Sequence, residues 1–178
     1  MRITEHTALF LDRDGVLNVL RQDDYVKCPD ELEVLPGVKE AIVLLKERFA
    51  HTFIVTNQQG VNKGLMTEED LHAVHKKLID EIGEIDHIYY CTERQSAHSF
   101  NRKPNIGMAL QARRDFPYIR LKECVMVGDS ASDMLFGRRA GMTTVLIGPT
   151  NAIALKHPNL VDHYYPTLLD FARNISQH

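Results

Sequence analysis

The chain reads as an α/β protein built on a doubly wound, mostly parallel sheet with helices on both faces. Three observations predict this. Short apolar runs of strand length alternate with segments whose apolar residues recur at helical spacing. The helical segments open on recognisable signals, Pro36-Gly37 in one case and Thr67 with Asp70 three residues later in another. Asp12, Asp14, Thr56 and Asp129 all fall near the ends of apolar runs, where open α/β sheets bind their ligands.

The elements follow in order. Residues 6–11 form the first expected strand, and residues 18–35 are a turn-rich excursion with room for a hairpin. Val38, Ala41, Ile42, Leu45 and Phe49 then mark a helix. Residues 51–56 are a short apolar strand, followed by the polar loop Asn57-Gln58-Gln59-Gly60. Leu71, Val74, Leu78 and Ile82 carry the helix that the Thr67 capping box starts. A strand over 86–91, a polar segment over 92–104 and a helix over 106–116 come next. A strand over 123–128, a helix over 131–140 and a strand over 143–147 follow. A short strand at 163–165 and a helix over 167–175 close the pattern. No repeat, linker or low-complexity tract divides residues 1–178, which read as one domain.

Composition narrows the functions. With 25% charged residues and a formal charge of −3, the chain is not built around a large nucleic-acid footprint. No apolar run is long enough to span a bilayer, and the first residues carry no signal-peptide pattern. Cys28, Cys91 and Cys124 are too few and too scattered for a disulfide framework, which suits the reducing cytoplasm.

The stretch Asp12-Arg13-Asp14-Gly15 is the chemical centre of the sequence. Two carboxylates at i and i+2 of an extended segment share a side and repel, unless a cation or a reaction needs them there. Thr56, Lys103 and the Gly128-Asp129-Ser130 segment with Asp133 complete a set suited to phosphoryl transfer. A carboxylate can attack phosphorus, acids can hold Mg²⁺, and a lysine and a hydroxyl can neutralise the equatorial oxygens. A second acid can protonate the leaving alkoxide. Each member also has a plainer reading. Asp129 could be a helix N-cap, Asp133 a first-turn acid, and Thr56 a β-branched strand residue. Lys63 and Arg94 read as solvated, His72 and His75 as a solvated or half-buried helix face, Cys124 as a small core residue, and Met134, Leu135 and Phe136 as core packing.

The ordered strings Asp12-Arg13-Asp14-Gly15-Val16, Ile54-Val55-Thr56-Asn57, Arg102-Lys103-Pro104 and Val127-Gly128-Asp129 with Asp133 resemble the haloacid dehalogenase (HAD) superfamily of aspartate-nucleophile phosphatases. The resemblance implies a HAD-like fold in which Asp12 is the nucleophile and Asp14 the general acid/base. It implies a Mg²⁺ site made by Asp12, the backbone carbonyl of Asp14, and Asp129, with Asp133 in support. Thr56, Asn57 and Lys103 would hold the transferring phosphate, with Arg102 on the substrate or on a nearby acid. The loop Thr56–Gly64, with Tyr89-Tyr90-Cys91 and Arg102-Lys103-Pro104, looks like that of the D-glycero-D-manno-heptose-1,7-bisphosphate phosphatases, and histidinol-phosphatase domains share much of it. Both often carry a structural zinc before Arg-Lys-Pro. This chain keeps only Cys91 and His98 there, two short of the usual four ligands, so no structural zinc is expected.

The implied activity is Mg²⁺-dependent phosphomonoester hydrolysis of a small phosphorylated metabolite, a sugar bisphosphate first. Histidinol phosphate and a polynucleotide 3′-phosphate are the alternatives, and a phospho-aspartate receiver module is the non-enzymatic one. The intervals from Asp14 to Thr56 and from Thr56 to Lys103 leave no room for a cap domain. An essentially capless site is expected, with loops 18–30, 58–66 and 92–102 selecting the substrate.

Overall fold

In the computed structural model, which describes residues 1–177, six strands make one all-parallel sheet. They are β1 (Ala8–Leu11), β2 (His51–Asn57), β3 (His87–Cys91), β4 (Val125–Gly128), β5 (Thr143–Ile147) and β6 (His163–Tyr165), in the order β3-β2-β1-β4-β5-β6. The helices are α1 (Val38–Lys46), α2 (Glu68–Ile82), α3 (Gly107–Asp115), α4 (Ala131–Ala140), α5 (Ala152–Lys156) and α6 (Leu168–Ser176). Chain order runs outward from β1 in both directions, so the sheet's topological switch lies between β1 and β4. The crevice for a ligand opens there, at the strands' carboxyl ends.

Alternation along the strands explains the layers. Ala8 and Phe10 of β1 face one core, with Phe53, Met126, Met108 of α3 and Phe136 of α4. Leu9 and Leu11 face the other, with Ile54, Val127, Ile42 and Leu45 of α1, Val74 and Leu78 of α2, and Phe171 of α6. Both faces of the sheet are therefore covered, as a parallel sheet requires. The expected capping box is present, with Thr67 accepting from the Asp70 N–H at the start of α2, and a second, unanticipated one opens α4, where Ser130 accepts from the Asp133 N–H.

Several expectations are corrected. No hairpin forms over 18–35. Asn18 and Val34 meet in one isolated antiparallel bridge, and the rest is a 3-10 turn at Pro29–Glu31 with a charge cluster. Pro29 has no N–H for a ladder. Lys27 instead bonds Asp24 at 2.8 Å, and its backbone N–H donates to Glu31 at 2.8 Å. The first strand begins at Ala8, because Thr4 and Thr7 close a turn ahead of it. The fourth begins at Val125, after a 3-10 turn over Leu121–Glu123. The five-residue α5 was too short for a periodicity signal. Leu135 is half-buried rather than core, and His75, expected on a solvated or half-buried helix face, is buried. Among the described residues, no helix is long and apolar enough to cross a membrane.

Candidate active site

The β1 ladder runs one residue past the strand, where the Asp12 N–H donates to the Val127 carbonyl at 2.9 Å. This pins the Asp12 backbone to β4 and buries its side chain at the mouth of the sheet. Asp12 Oδ1 accepts from Lys103 Nζ at 2.7 Å, and the same ammonium donates to Asp133 Oδ1 at 2.6 Å. Lys103 reaches this point because its backbone is clamped. Its N–H donates to Asn57 Oδ1 at 3.0 Å, and its carbonyl accepts from Asn57 Nδ2 at 3.1 Å. Both ends of the Asn57 amide are thus engaged, so the side chain expected on the substrate instead fixes the lysine.

Asp129 follows β4 directly, and Ser130, not Asp129, is the N-cap of α4. Asp133 is both a capping residue and an electrostatic one. Its Oδ2 accepts from the Ser130 N–H at 3.1 Å and the Ser130 hydroxyl at 2.6 Å, while Oδ1 holds Lys103. Gly15 lies against Asp129 in a left-handed conformation, φ +88°. A Cβ there would stand 2.0 Å from Asp129 Oδ2, so only glycine leaves room for that carboxylate.

Asp14 lies three residues beyond the strand and is held by three donors. Arg13 Nη2 at 3.0 Å and Asn18 Nδ2 at 2.9 Å reach Oδ1, and Gln58 Nε2 at 2.7 Å reaches Oδ2. Burial acts to raise its pKa, but the fully buried Arg13 guanidinium and these hydrogen bonds outweigh burial and hold the carboxyl below its ordinary value. Asp12 behaves oppositely. Burial first, then the nearby Asp133 charge, push it to about 7 against the pull of Lys103. Asp14 is the weakest of the influences on it, so the Asp12–Asp14 repulsion anticipated from the sequence is minor. Arg13 neutralises Asp14, and the acid that matters to Asp12 is Asp133. Burial, Asp12 and Asp133 likewise push Asp129 up to about 8.

The set calls for a divalent cation. Asp12, Asp129 and Asp133 each offer a carboxylate oxygen, all within 4.8 Å of one another. The one ammonium among them leaves Asp12 and Asp129 resisting ionisation near neutral pH. Asp133 already has donors on both oxygens, whereas Asp12 Oδ2, the Asp129 carboxylate and the Asp14 carbonyl accept no bond from another residue among the described ones. That donor set is all oxygen, as Mg²⁺ prefers.

Asp12, Asp14, Thr56, Asn57, Lys103, Asp129 and Asp133 all line one cleft of about 240 Å³. Leu20, Arg21, Asp24, Tyr25 and Val26 supply its other wall, so the 18–30 loop does border the site. Arg102 does not line it. It borders an adjoining cavity of about 500 Å³ with Gln95, His98 and Ser99, which shares Asn57, Lys103 and Ser132 with the first. Loop 58–66 lines neither and instead buttresses Tyr25, whose hydroxyl accepts from Gln59 at 2.8 Å and Lys63 at 2.9 Å. Arg94, expected to be merely solvated, ties this loop to the next through the Asn62 carbonyl at 3.0 Å. Arg13 and Gln58, neither expected among the site residues, both bond the Asp14 carboxylate. Gln58 was findable, since it stands two residues after Thr56 and shares its side.

The fold and these motifs define a phosphoryl-transfer member of the HAD-like hydrolases, and a family model described as "HAD-hyrolase-like" matches residues 100–171. The chain belongs to the family of D-glycero-D-manno-heptose-1,7-bisphosphate 7-phosphatases within that group. It is 34% identical over 182 residues to the D-glycero-beta-D-manno-heptose-1,7-bisphosphate 7-phosphatase of Escherichia coli O6:H1, covering 96% of this chain and 94% of that one. It is 31% identical over 169 residues to the alpha-anomer enzyme of Mycobacterium bovis, covering 93% of this chain and 89% of that one. The solved D,D-heptose 1,7-bisphosphate phosphatase from B. bronchiseptica, complexed with magnesium and phosphate, superposes with a TM-score of 0.85 at 30% identity, covering 96% of this chain and 98% of that one.

Proposed function

We propose that the chain hydrolyses a sugar bisphosphate, D-glycero-D-manno-heptose 1,7-bisphosphate, releasing the 7-phosphate through a phospho-aspartate on Asp12. The observation that carries this reading is the Asp12 carboxylate. One oxygen is gripped by Lys103 and the other is free, in a cleft that also holds Asp14, Thr56 and Asp129. Family membership supplies the substrate class.

In this reading the Asp12 carboxylate attacks phosphorus, and the bond to the sugar oxygen breaks. Asp14 gives that oxygen a proton, then takes one from the water that attacks the phospho-aspartate, returning both acids to their starting state. Asp14 is ionised in the free protein. The negative charge of an arriving phosphate raises its proton affinity and prepares it as the acid. Lys103 and Thr56 hold the equatorial oxygens. Mg²⁺, held by Asp12, the Asp14 carbonyl and Asp129, would offset negative charge on the transferring group. Arg102 donates one bond to the Glu93 carbonyl at 3.2 Å, and its remaining N–H groups border the adjoining cavity, where the second phosphate would lie. The substrate is a small phosphorylated metabolite of the cytoplasm, taken up by an essentially capless site.

The test compares kcat/KM for both anomers of the heptose bisphosphate, histidinol phosphate and a 3′-phosphorylated oligonucleotide, with and without Mg²⁺. A heptose bisphosphate is expected to lead, with activity lost in Asp12→Asn. Preference for either other substrate, or full activity in Asp12→Asn, would overturn the reading.

A further inference from the structure

We propose that Gln58 is a positioning residue that dictates the direction in which the Thr56 hydroxyl donates and joins that hydroxyl to Asp14. The inference rests on the roles given above to Asp14 and Thr56, and goes beyond them by assigning a residue that touches neither substrate nor metal.

The argument is one of hydrogen-bond polarity. Gln58 Nε2 lies 2.7 Å from Asp14 Oδ2 and 2.9 Å from Thr56 Oγ1. An amide nitrogen has two hydrogens to give and accepts nothing. The nitrogen end of the amide faces the Asp14 carboxylate, whose other oxygen takes the Arg13 guanidinium and the Asn18 amide. Both amide hydrogens are then committed, one to each oxygen. Thr56 Oγ1 is therefore an acceptor toward Gln58, and its own proton must leave in another direction. No protein acceptor within hydrogen-bond reach takes that proton among the described residues, and Thr56 lines the cleft. The O–H is aimed at the space where the equatorial oxygens of the transferring phosphoryl group would stand.

The device is rigid. Gln58 is buried, and its backbone N–H is anchored on the Cys91 carbonyl of the neighbouring strand at 2.7 Å. Without the amide, the hydroxyl would be free to turn its proton to a carboxylate, the strongest acceptor in the site, and would present lone pairs to the phosphate. The two oxygens of Asp14 are loaded unequally, with Arg13 and Asn18 on Oδ1 and Gln58 alone on Oδ2, leaving Oδ2 the lone pair that carries the proton to the leaving alkoxide.

The experiment is a double-mutant cycle on Gln58→Leu and Thr56→Val, read as kcat and KM for heptose bisphosphate in saturating Mg²⁺, with thermal melts to verify folding. Gln58→Leu is expected to lose about 100-fold in kcat, the scale of one oriented donor, with KM nearly unchanged. In the Thr56→Val background, the same change should cost less than a factor of about three, because the hydroxyl it orients is already gone. Gln58→Glu keeps the shape but replaces the donor with an acceptor. It should fall below Gln58→Leu, and it can replace Leu in the cycle if Gln58→Leu does not fold. Wild-type kcat in both Gln58 variants, or losses that multiply in the double variant, would overturn the inference while leaving the phosphatase reading intact. That reading instead fails on the wild-type chain and Asp12→Asn.

Discussion

Gly15→Ala should uncouple the metal from the protein by a steric route that can be sized from the structure. The new Cβ would stand 2.0 Å from Asp129 Oδ2 and 2.5 Å from its Cγ. Restoring an ordinary contact requires the carboxylate to retreat by roughly 1.5 Å. Mg²⁺ tolerates little departure from its ligand distance of about 2.1 Å, so an oxygen moved that far no longer coordinates well. A loss of about 30-fold in Mg²⁺ affinity is the scale seen when the surroundings of a metal ligand are disturbed. At a Mg²⁺ concentration that stabilises the parent protein by about 2.7 kcal/mol, the variant would then gain only about 0.9 kcal/mol. The left-handed backbone adds a separate cost of about 1 kcal/mol that is indifferent to metal. Gly64→Ala isolates that second effect, because Gly64 has φ +73° and nothing within 4 Å of an added Cβ. The assay is thermal unfolding across a Mg²⁺ titration, paired with the Mg²⁺ dependence of phosphate release. Gly15→Ala should shift both midpoints to higher Mg²⁺, and Gly64→Ala should lower the melting temperature alone. An unchanged Mg²⁺ midpoint in Gly15→Ala would refute the placement of Asp129 on the metal.

Two further predictions follow from the charges. Lys103→Met removes the ammonium shared by Asp12 and Asp133; kcat should fall about 10²- to 10³-fold, measured by steady-state phosphate release. In EDTA, the stability of the protein should decline as pH rises from about 4 to about 8, followed by chemical denaturation at each pH. Asp12 and Asp129 have folded pKa values of about 7 and about 8, above the ordinary 3.8, so across that window the native state holds protons the unfolded chain has released. Asp129→Asn should flatten the decline, and Mg²⁺ should reverse it by stabilising the ionised carboxylates.

The sheet was legible because its signals are local. Helix periodicity, the capping pair Thr67–Asp70 and strand-length apolar runs each arise within a few residues, and their alternation implies a parallel sheet covered on both faces. The excursion over 18–35 was not legible. Its shape comes from charges that balance across space, Arg21, Asp24, Lys27 and Glu31, and from one bridge between Asn18 and Val34. Neither leaves a period in the sequence.

The site divides along the same line. The residues proposed to do chemistry announce themselves, because phosphoryl transfer needs acids, a lysine and a hydroxyl at strand ends. Asp12, Asp14, Thr56, Lys103, Asp129 and Asp133 accordingly meet in one cleft. Residues that set the state of those groups carry no such signature. Arg13 was given no role from the sequence, yet its fully buried guanidinium pairs with Asp14 and holds that carboxyl below its ordinary value. Asn57 looked like a ligand and is a clamp on the Lys103 backbone. Asp12 and Asp14 are therefore not a repelling couple waiting for one cation. Asp14 has its own counter-charge and stays ionised, while Asp12 shares a lysine with Asp133 and is left undercompensated. That asymmetry leaves Asp12 dependent on a metal to stay an anion, and under the reading proposed above it leaves Asp14 to gain its proton only when an arriving phosphate brings further negative charge beside it.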